Sequence, residues 1–199
     1  MGKNEFENID LSAEKLQKEK EIDALVIRSQ GGDSAAFAEI YDIFVQKVYR
    51  YIFFKINNDD DALDLTESVF LKVWQSIRSY KKGKYNFSAW LFRIAHNLVV
   101  DHYRLHKVHA PLDYNLEDKK QHSDPRNAVE QSIGRDNLRS ALLRLKDSYR
   151  QILVLRYINE LENEEIARIM KKSEGSLRVL KHRALHDLKR VFKEMGIKH

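Results

Sequence analysis

The residues best suited to chemistry near the C-terminus form a basic hairpin. Residues 163–170 read Asn-Glu-Glu-Ile-Ala-Arg-Ile-Met, a short polar turn follows, and a second run starts at Glu174. This is the pattern of a helix-turn-helix, in which Ile166, Ala167 and Met170 pack inward and the second helix enters the major groove of DNA. Arg can bond a guanine edge at two points and Lys can hold phosphates, so the predicted chemistry is base readout. The outward residues are Ser176, Arg178, Val179, Lys181, His182 and Arg183.

A second segment, residues 81–104, interleaves basic and aromatic side chains. Unpaired bases stack on aromatic rings while cations follow the phosphate backbone, so this mixture suits single-stranded DNA and a flipped base. Some members have the spacing of core residues instead, namely Phe87, Trp90, Ile94 and Leu98. The better candidates for touching DNA lie on the more polar side. They are His96, Asn97, Asp101 and Arg104.

Acidic residues concentrate in a third segment, residues 55–77, which precedes both of these segments in the chain. From Lys55 to Ile77 there are five acids against two basic residues, whereas residues 78–107 carry seven basic residues against one acid and residues 171–194 carry eight against three. Basic patches are typical of nucleic-acid surfaces and acidic ones of protein-partner surfaces, although either can be a solvated helix face. One side of the predicted helix here should be buried: Ala62, Leu65, Val69, Val73, Trp74 and Ile77. The other side presents Asp64, Glu67, Ser68, Leu71 and Gln75.

No enzymatic site can be read from the chain. It has no Cys, which excludes disulfides, thiolate metal sites and a cysteine nucleophile. Its eight His residues lack the spacing of a zinc helix, and neither a glycine-rich phosphate loop nor a calcium loop is present. We therefore expect no catalytic residue, metal or cofactor. No stretch approaches the roughly 20 apolar residues of a membrane span and no signal core starts the chain, so a cytoplasmic protein without membrane insertion is expected.

The composition predicts an all-α protein, because 33% of the 199 residues are charged while Gly and Pro number only 7 and 2. Apolar periodicity predicts two small helical domains, at 21–105 and 128–194. Between them, residues 106–127 lose periodicity and contain both prolines, as a flexible tether would. Residues 1–20 are polar and charge-mixed, and a loosely attached tail is expected there. Helix ends are predicted at Gly31-Gly32 and helix starts at Asp33 and at the run 57–61.

Together these segments resemble the sigma-70 family of RNA polymerase sigma factors, in its extracytoplasmic-function (ECF) group, over residues 21–192. The run 61–74 is similar to the polymerase-binding helix of sigma region 2, and the run 87–97 to its promoter-melting helix. The opening helix of that region is matched by Phe37, Ile40, Tyr41, Val48 and Tyr49. The C-terminal hairpin is similar to sigma region 4.

The resemblance implies an alternative sigma factor that recruits core RNA polymerase to promoters. It assigns Asp64, Glu67, Ser68 and the neighbouring Leu71 to the clamp helices of the largest catalytic subunit of the polymerase. The hairpin residues would read the minus-thirty-five element as duplex, and the linker would run toward the active-site channel. Contacts to the minus-ten element, partly single-stranded, would come from Lys84, Tyr85, Asn86, Arg93, His96, Asn97, Asp101 and Arg104.

Other readings stay open at this point. A free-standing helix-turn-helix regulator would use the hairpin but leave the acidic helix and the aromatic segment without a role. A deaminase or nuclease would need a metal cluster or paired carboxylates near the basic segment, and none is seen. Val179 and His182 depart from the common family pattern, so base preference does not follow from the resemblance, and neither do the target promoters, the signal or an anti-sigma partner. Too few residues separate Leu105 from Ala128 for the middle domain of a housekeeping sigma factor.

Overall fold

The computed structural model describes the backbone of residues 3–56, 58–83, 86–109 and 128–197, and side chains from residue 16 to 105 and from 134 onward within those ranges. The described chain is all-α, as predicted, and contains no strand. Its α-helices are α1 (Lys3–Gln30), α2 (Ser34–Phe53), α3 (Asp59–Ser76), α4 (Phe87–His109), α5 (Ala128–Leu143), α6 (Asp147–Leu153), α7 (Asn163–Met170) and α8 (Glu174–Glu194). A 3-10 turn covers Ile77–Ser79 and a π-helical segment covers Val154–Ile158.

The predicted helix starts are confirmed by their caps. The Asp33 carboxylate accepts from the backbone N–H groups of Ala35 and Ala36 at 3.0 and 3.1 Å, and the side chain of Asn58 does the same for the first turn of α3. The reversal between α1 and α2 needs a glycine, because Gly32 has a φ of 95°. Side-chain acceptors thereby satisfy N–H groups that have no partner within the helix.

Two helix ends differ from the prediction. Helix α1 begins at Lys3, inside the stretch expected to be a loose tail, because residues 13–21 are strong helix formers and Gln17 donates to Glu21 one turn away at 3.1 Å. Helix α4 continues to His109, four residues into the predicted tether at 106–127. The rest of that tether, residues 110–127, lies outside the described residues.

Helices α1 to α4 form an N-terminal bundle. The predicted stripe of α2 is buried at Ile40, Phe44, Val48, Tyr51 and Ile52. Tyr41 and Trp74, predicted to be core residues, are instead 39% and 42% exposed. Each lies at the edge of its stripe and contacts the bundle through a ring edge, Tyr41 on Phe70 and Trp74 on Phe37, both at 4.7 Å between centroids.

The core side of α4 is wider than predicted. Phe87 is buried, but Trp90, Ile94 and Leu98 are only partly buried. The fully buried positions of the helix are Leu91, Phe92, Ala95 and Val99. The reason is that α4 contacts α7 of the C-terminal bundle as well as α2 and α3, so more of its surface is covered than one bundle alone would cover.

The C-terminal bundle packs α5, α6 and α7 around α8. Its core includes Leu142, Ile152, Leu155, Ile166 and Leu177. In the π-helical segment the N–H of Asn159 donates to the carbonyl of Val154 at 3.0 Å, five residues back. The two bundles contact each other where α4 meets α7 and where α2 meets the π-helical segment, and their buried apolar residues form one cluster.

Candidate nucleic-acid interface

The basic loop before α4 is fixed at both ends. At its start, the Gln30 amide donates to the carbonyls of Ile77 and Tyr80 at 2.9 and 2.6 Å. At its end, the Asn86 side chain accepts from the N–H of Ala89 at 3.0 Å and so caps α4. Lys81, Lys82 and Gly83 are exposed in between. Lys84 and Tyr85, both predicted contacts, lie outside the described residues.

The aromatic residues of this region mainly support one another. Trp90 lies 5.1 Å from Tyr80 and 5.5 Å from Phe87, measured between ring centroids. Burial raises the pKa of Tyr80 to about 12, and the nearby carboxylate of Asp23 adds to the shift. The aromatic cluster therefore forms the base of the loop, as the core interpretation of Trp90 expected, although Trp90 keeps part of its surface.

The predicted polar contacts on α4 separate into two groups. Arg93, Asn97, Asp101 and Arg104 are exposed, and the last two form an ion pair at 3.6 Å. His96 is half-buried: its Nδ1 lies 3.2 Å from the Tyr51 hydroxyl and 3.0 Å from the amide nitrogen of Gln151, which belongs to α6.

Burial, reinforced by the charge of Lys55, lowers the pKa of His96 below its ordinary value. In the neutral imidazole Nδ1 can accept one hydrogen bond, which the Gln151 amide nitrogen requires because it can only donate. In this arrangement His96 is engaged by the C-terminal bundle and is not open to solvent as Arg93 and Asn97 are.

The C-terminal hairpin has the geometry of a helix-turn-helix. Glu162 and Glu165 form a capping box at the start of α7, Lys171 ends the helix in the left-handed region with a φ of 52°, and Ser173 caps α8. Leu177 and Ala184 bury the inner side of α8, and Leu180 is partly buried. With 21 residues, α8 is about 31 Å long and can lie in a major groove.

The predicted readout residues share the outer side of α8. Ser176, Arg178, Val179, His182 and Arg183 are exposed, and Lys181 is half-exposed. Within the described part of the chain, no ion pair or side-chain hydrogen bond engages Arg178, Lys181 or Arg183. The cations of this surface are therefore available to phosphates or base edges.

The outer face of α3 is acidic and partly apolar. Asp64, Glu67, Ser68 and Leu71 are all exposed, as predicted. Sequence reasoning missed Leu63, at 53% exposure, and placed Trp74 in the core. Large apolar groups on a surface among carboxylates are typical of a protein-binding face.

Several residues that join the two bundles were not predicted. The ammonium of Lys55, whose side chain is 1% exposed, lies 2.6 Å from a carboxylate oxygen of Asp147. Arg150 donates to the Lys55 carbonyl at 3.0 Å, and Asn159 donates to the Lys47 carbonyl at 2.7 Å. The signal in the sequence is a lysine inside the apolar run Phe-Phe-Lys-Ile at 53–56, a position where a charge needs a partner.

In the Lys55–Asp147 pair, burial and the charge of the partner act in opposite directions on each pKa. Burial lowers the pKa of Lys55, while the Asp147 carboxylate opposes that shift by favouring the ammonium. For Asp147, burial acts to raise the pKa, but the charge and the hydrogen bond of Lys55, together with the charges of Arg150 and His96, lower the pKa overall. Each charge thus stabilises the other across the boundary between bundles.

No group of three or more His, Cys, Asp or Glu side chains in the described ranges could hold a metal ion. No helix there is both long and apolar enough to cross a bilayer.

Two family models match the chain, one in each bundle. The model for sigma-70 region 2 matches residues 40–108, and the model for sigma-70 region 4 matches residues 135–188. A free-standing helix-turn-helix regulator, the alternative open from sequence, leaves the first of these matches unexplained.

Curated relatives extend the match over most of the chain. BldN, an ECF RNA polymerase sigma factor of Streptomyces coelicolor, is 32% identical over 84% of this chain, which spans 64% of BldN. SigW, an ECF RNA polymerase sigma factor of Bacillus subtilis, is 30% identical over 82% of this chain and 92% of its own length.

Solved structures share the fold. CnrH, solved with the cytosolic domain of CnrY, superposes with a TM-score of 0.66 at 22% identity, covering 86% of this chain and 96% of CnrH. The sigma factor RpoE, solved with the anti-sigma factor NepR from Bartonella quintana, gives 0.63 at 19% identity over 79% and 96%. Because a relative at 30% identity is covered almost end to end and both sigma regions are matched in order, the chain belongs to the ECF sigma factors of the sigma-70 family.

Proposed function

We propose that this chain binds core RNA polymerase and directs promoter-specific transcription initiation, with no catalytic step of its own. The observation that carries the proposal is the separation of two exposed surfaces of opposite character. The outer face of α3 is acidic and apolar, whereas the outer face of α8 is basic. Opposite charges on different domains suit a protein that must hold an enzyme and DNA at the same time.

The α3 face is the proposed polymerase handle. Asp64 and Glu67 supply charge, and Leu71, with Leu63 and Trp74 beside it, supplies apolar area that binding can bury. The proposed partner is the clamp-helix surface of the largest catalytic subunit. On α8, Ser176, Arg178, Val179, Lys181, His182 and Arg183 would read the minus-thirty-five duplex.

The loop and α4 are the proposed minus-ten surface. Exposed Arg93, Asn97 and Arg104 would follow the phosphates and bases of the opened strand. Asn86, His96 and Asp101, with Lys84 and Tyr85 outside the described residues, complete the proposed set. A sigma factor acts on the chromosome, so the proposed location is the nucleoid in the cytoplasm. An anti-sigma factor is a further proposed partner, because the structural neighbour RpoE was solved with the anti-sigma factor NepR.

The proposal is tested with core polymerase and the double variant Asp64→Arg with Glu67→Arg. We expect co-purification with core enzyme to be lost and run-off transcription from genomic DNA to fall to background, because the charge of the handle is reversed. Glu39→Arg with Asp42→Arg is the matched control, since it places the same charge change on an exposed part of α2. Equal core binding by both double variants would assign the handle elsewhere, and no promoter-specific transcript from the unaltered chain would refute the function.

A further inference from the structure

A cleft of about 550 Å³ lies beside α2, and its other sides come from α5, the π-helical segment and the turn that follows it. Cavities that bind small molecules commonly measure about 300 to 1,000 Å³. None of the lining residues belongs to α3, α4 or α8, so the cleft is separate from the three proposed surfaces. The lining consists of Gln46, Tyr49, Arg50, Phe53, Phe54, Arg135, Tyr157, Ile158 and Glu160.

Aromatic rings make up much of this lining. Phe53 and Phe54 are buried and pack edge to face at 5.2 Å between centroids, so they form the floor of the cleft. Tyr49 is partly buried and lies 5.8 Å from Phe53. Tyr157 is 53% exposed, and among the described residues it packs against no other aromatic ring. An exposed ring beside a cavity offers a face on which a flat ligand can stack.

Two arginines give the cleft a net positive charge. Arg50 and Arg135 are both exposed, and within the ranges that the structure describes neither forms an ion pair or a side-chain hydrogen bond. The guanidinium of Arg135 lies 5.5 Å from the centroid of the Phe53 ring, at the aromatic floor. Glu160 is the one acidic residue of the lining. The planar guanidinium group matches a phosphate through two parallel hydrogen bonds, so this pair suits a phosphate ligand.

The hydroxyl of Tyr49 does not oppose an anion. Burial, together with the charge of Asp59, raises the pKa of Tyr49, and the nearby cations of Arg139 and Arg135 act against that shift without cancelling it. The phenol is therefore protonated at neutral pH. It brings no negative charge to the cleft and can donate a hydrogen bond.

The elements around the cleft are held in place without a ligand. The Asn159 side chain donates to the Lys47 carbonyl at 2.7 Å and fastens the turn next to Glu160 against α2. Arg139, one turn after Arg135 on α5, donates to the carbonyl of Ile56 at 3.0 Å. These bonds tie the walls of the cleft to α2 and to the residues just beyond its end, so a ligand would meet a largely formed site.

We propose that this cleft binds a nucleotide unit, with the base stacked on Tyr157 and the phosphate held by Arg50 and Arg135. The ligand class follows from the two parts of the lining, because a base presents a flat π face and a phosphate fits the guanidinium fork. A free nucleoside monophosphate and a single nucleotide of a strand both carry these two groups. The site is an addition to the proposed function and does not depend on it.

Calorimetric titration of the full-length chain with adenosine monophosphate tests the proposal. We expect saturable binding that Arg50→Gln with Arg135→Gln weakens by about tenfold or more, since charge-assisted hydrogen bonds are lost. Arg144→Gln with Lys146→Gln is the matched control, because it removes two exposed cations outside the cleft and should leave the affinity unchanged. Tyr157→Ala should weaken binding about tenfold through lost stacking. Thermal unfolding followed by circular dichroism checks that each variant is folded.

A photoreactive azido derivative of adenosine monophosphate locates the site, and we expect it to label peptides that contain residues 46–54 or 157–160. A single-stranded oligonucleotide with a terminal phosphate distinguishes the two sources of the ligand. If it alone binds, with the same loss in the double arginine variant, the ligand is a nucleotide of a strand.

Four results would overturn the proposal: no binding of either probe, equal losses in the control pair, labelling outside the cleft, or inorganic phosphate that binds as tightly as the nucleotide. The last would leave an anion site only. None of these measurements involves core polymerase, so their failure would leave the proposed sigma function untouched.

Discussion

Removing either charge of the Lys55–Asp147 pair should weaken the closed state, in which the two bundles contact each other, far more than removing both. Lys55 is buried and Asp147 is 57% exposed on its side chain. Losing one partner of a buried pair costs about 3 to 5 kcal/mol, and losing an exposed pair costs about 0.2 to 1 kcal/mol. For a pair with one buried member we expect about 2 kcal/mol for Asp147→Asn, equivalent to about a 30-fold loss of the closed form.

The double variant Lys55→Met with Asp147→Asn leaves no unpaired charge, and we expect its closed state within about 0.5 kcal/mol of the unaltered protein. The assay is the urea dependence of energy transfer between dyes attached to the exposed sites Ser79→Cys and Lys193→Cys in a chain that has no native Cys, analysed as a double-mutant cycle. Asp136→Asn serves as the neutralisation control on the exposed surface of α5. Additive effects of the two single variants would refute the reasoning, because independent sites have no coupling energy.

Two more predictions concern DNA and pH. Replacing Arg178 or Arg183 with Ala should cost about 1 to 3 kcal/mol of promoter duplex binding if that residue makes a bidentate base contact. Gel shifts with holoenzyme measure this, and unchanged binding by both variants would exclude the readout role of α8. Because the pKa of His96 is lowered in the closed state, closure is complete above the ordinary value of about 6.5 and weakens as pH falls toward the lowered pKa. Energy transfer should decline as pH falls through that window, and His96→Gln should abolish the decline. An increase in energy transfer over the same window would contradict the role of His96 in closure.

Local signals in the sequence predicted the helices well. Asp33, Asn58 and Ser173 are each short polar side chains followed by an apolar period, and each caps a helix. The outer face of α8 was predicted equally well, because Leu177 and Ala184 mark the opposite face as the buried one. Where a side chain stands at the edge of a stripe, as Trp74 does, periodicity alone does not decide between burial and a ring-edge contact.

The contact between bundles could not be predicted from such signals. Lys55 and Asp147 are far apart in the sequence, and nothing local in either segment specifies the other. His96 was predicted as a DNA contact because it lies on the polar side of α4, but that side is where Gln151 of the second bundle reaches it. The roles assigned to the individual site residues stay predictions, since family membership does not place a contact on a particular side chain.

A change of chain length within the π-helical segment Val154–Ile158 would alter the direction of the helices that follow it. Its wide turn holds one residue more than an α-helical turn would, and it orients Asn159 toward the Lys47 carbonyl. Deleting a single residue here would allow a regular helix, but would turn everything that follows by about 100° and would break the hydrogen bond from Asn159 to the Lys47 carbonyl. Helices α7 and α8, which follow the segment, would then lie on a different side of α6. Spacing in this short stretch is therefore under stronger constraint than the chemical identity of its side chains.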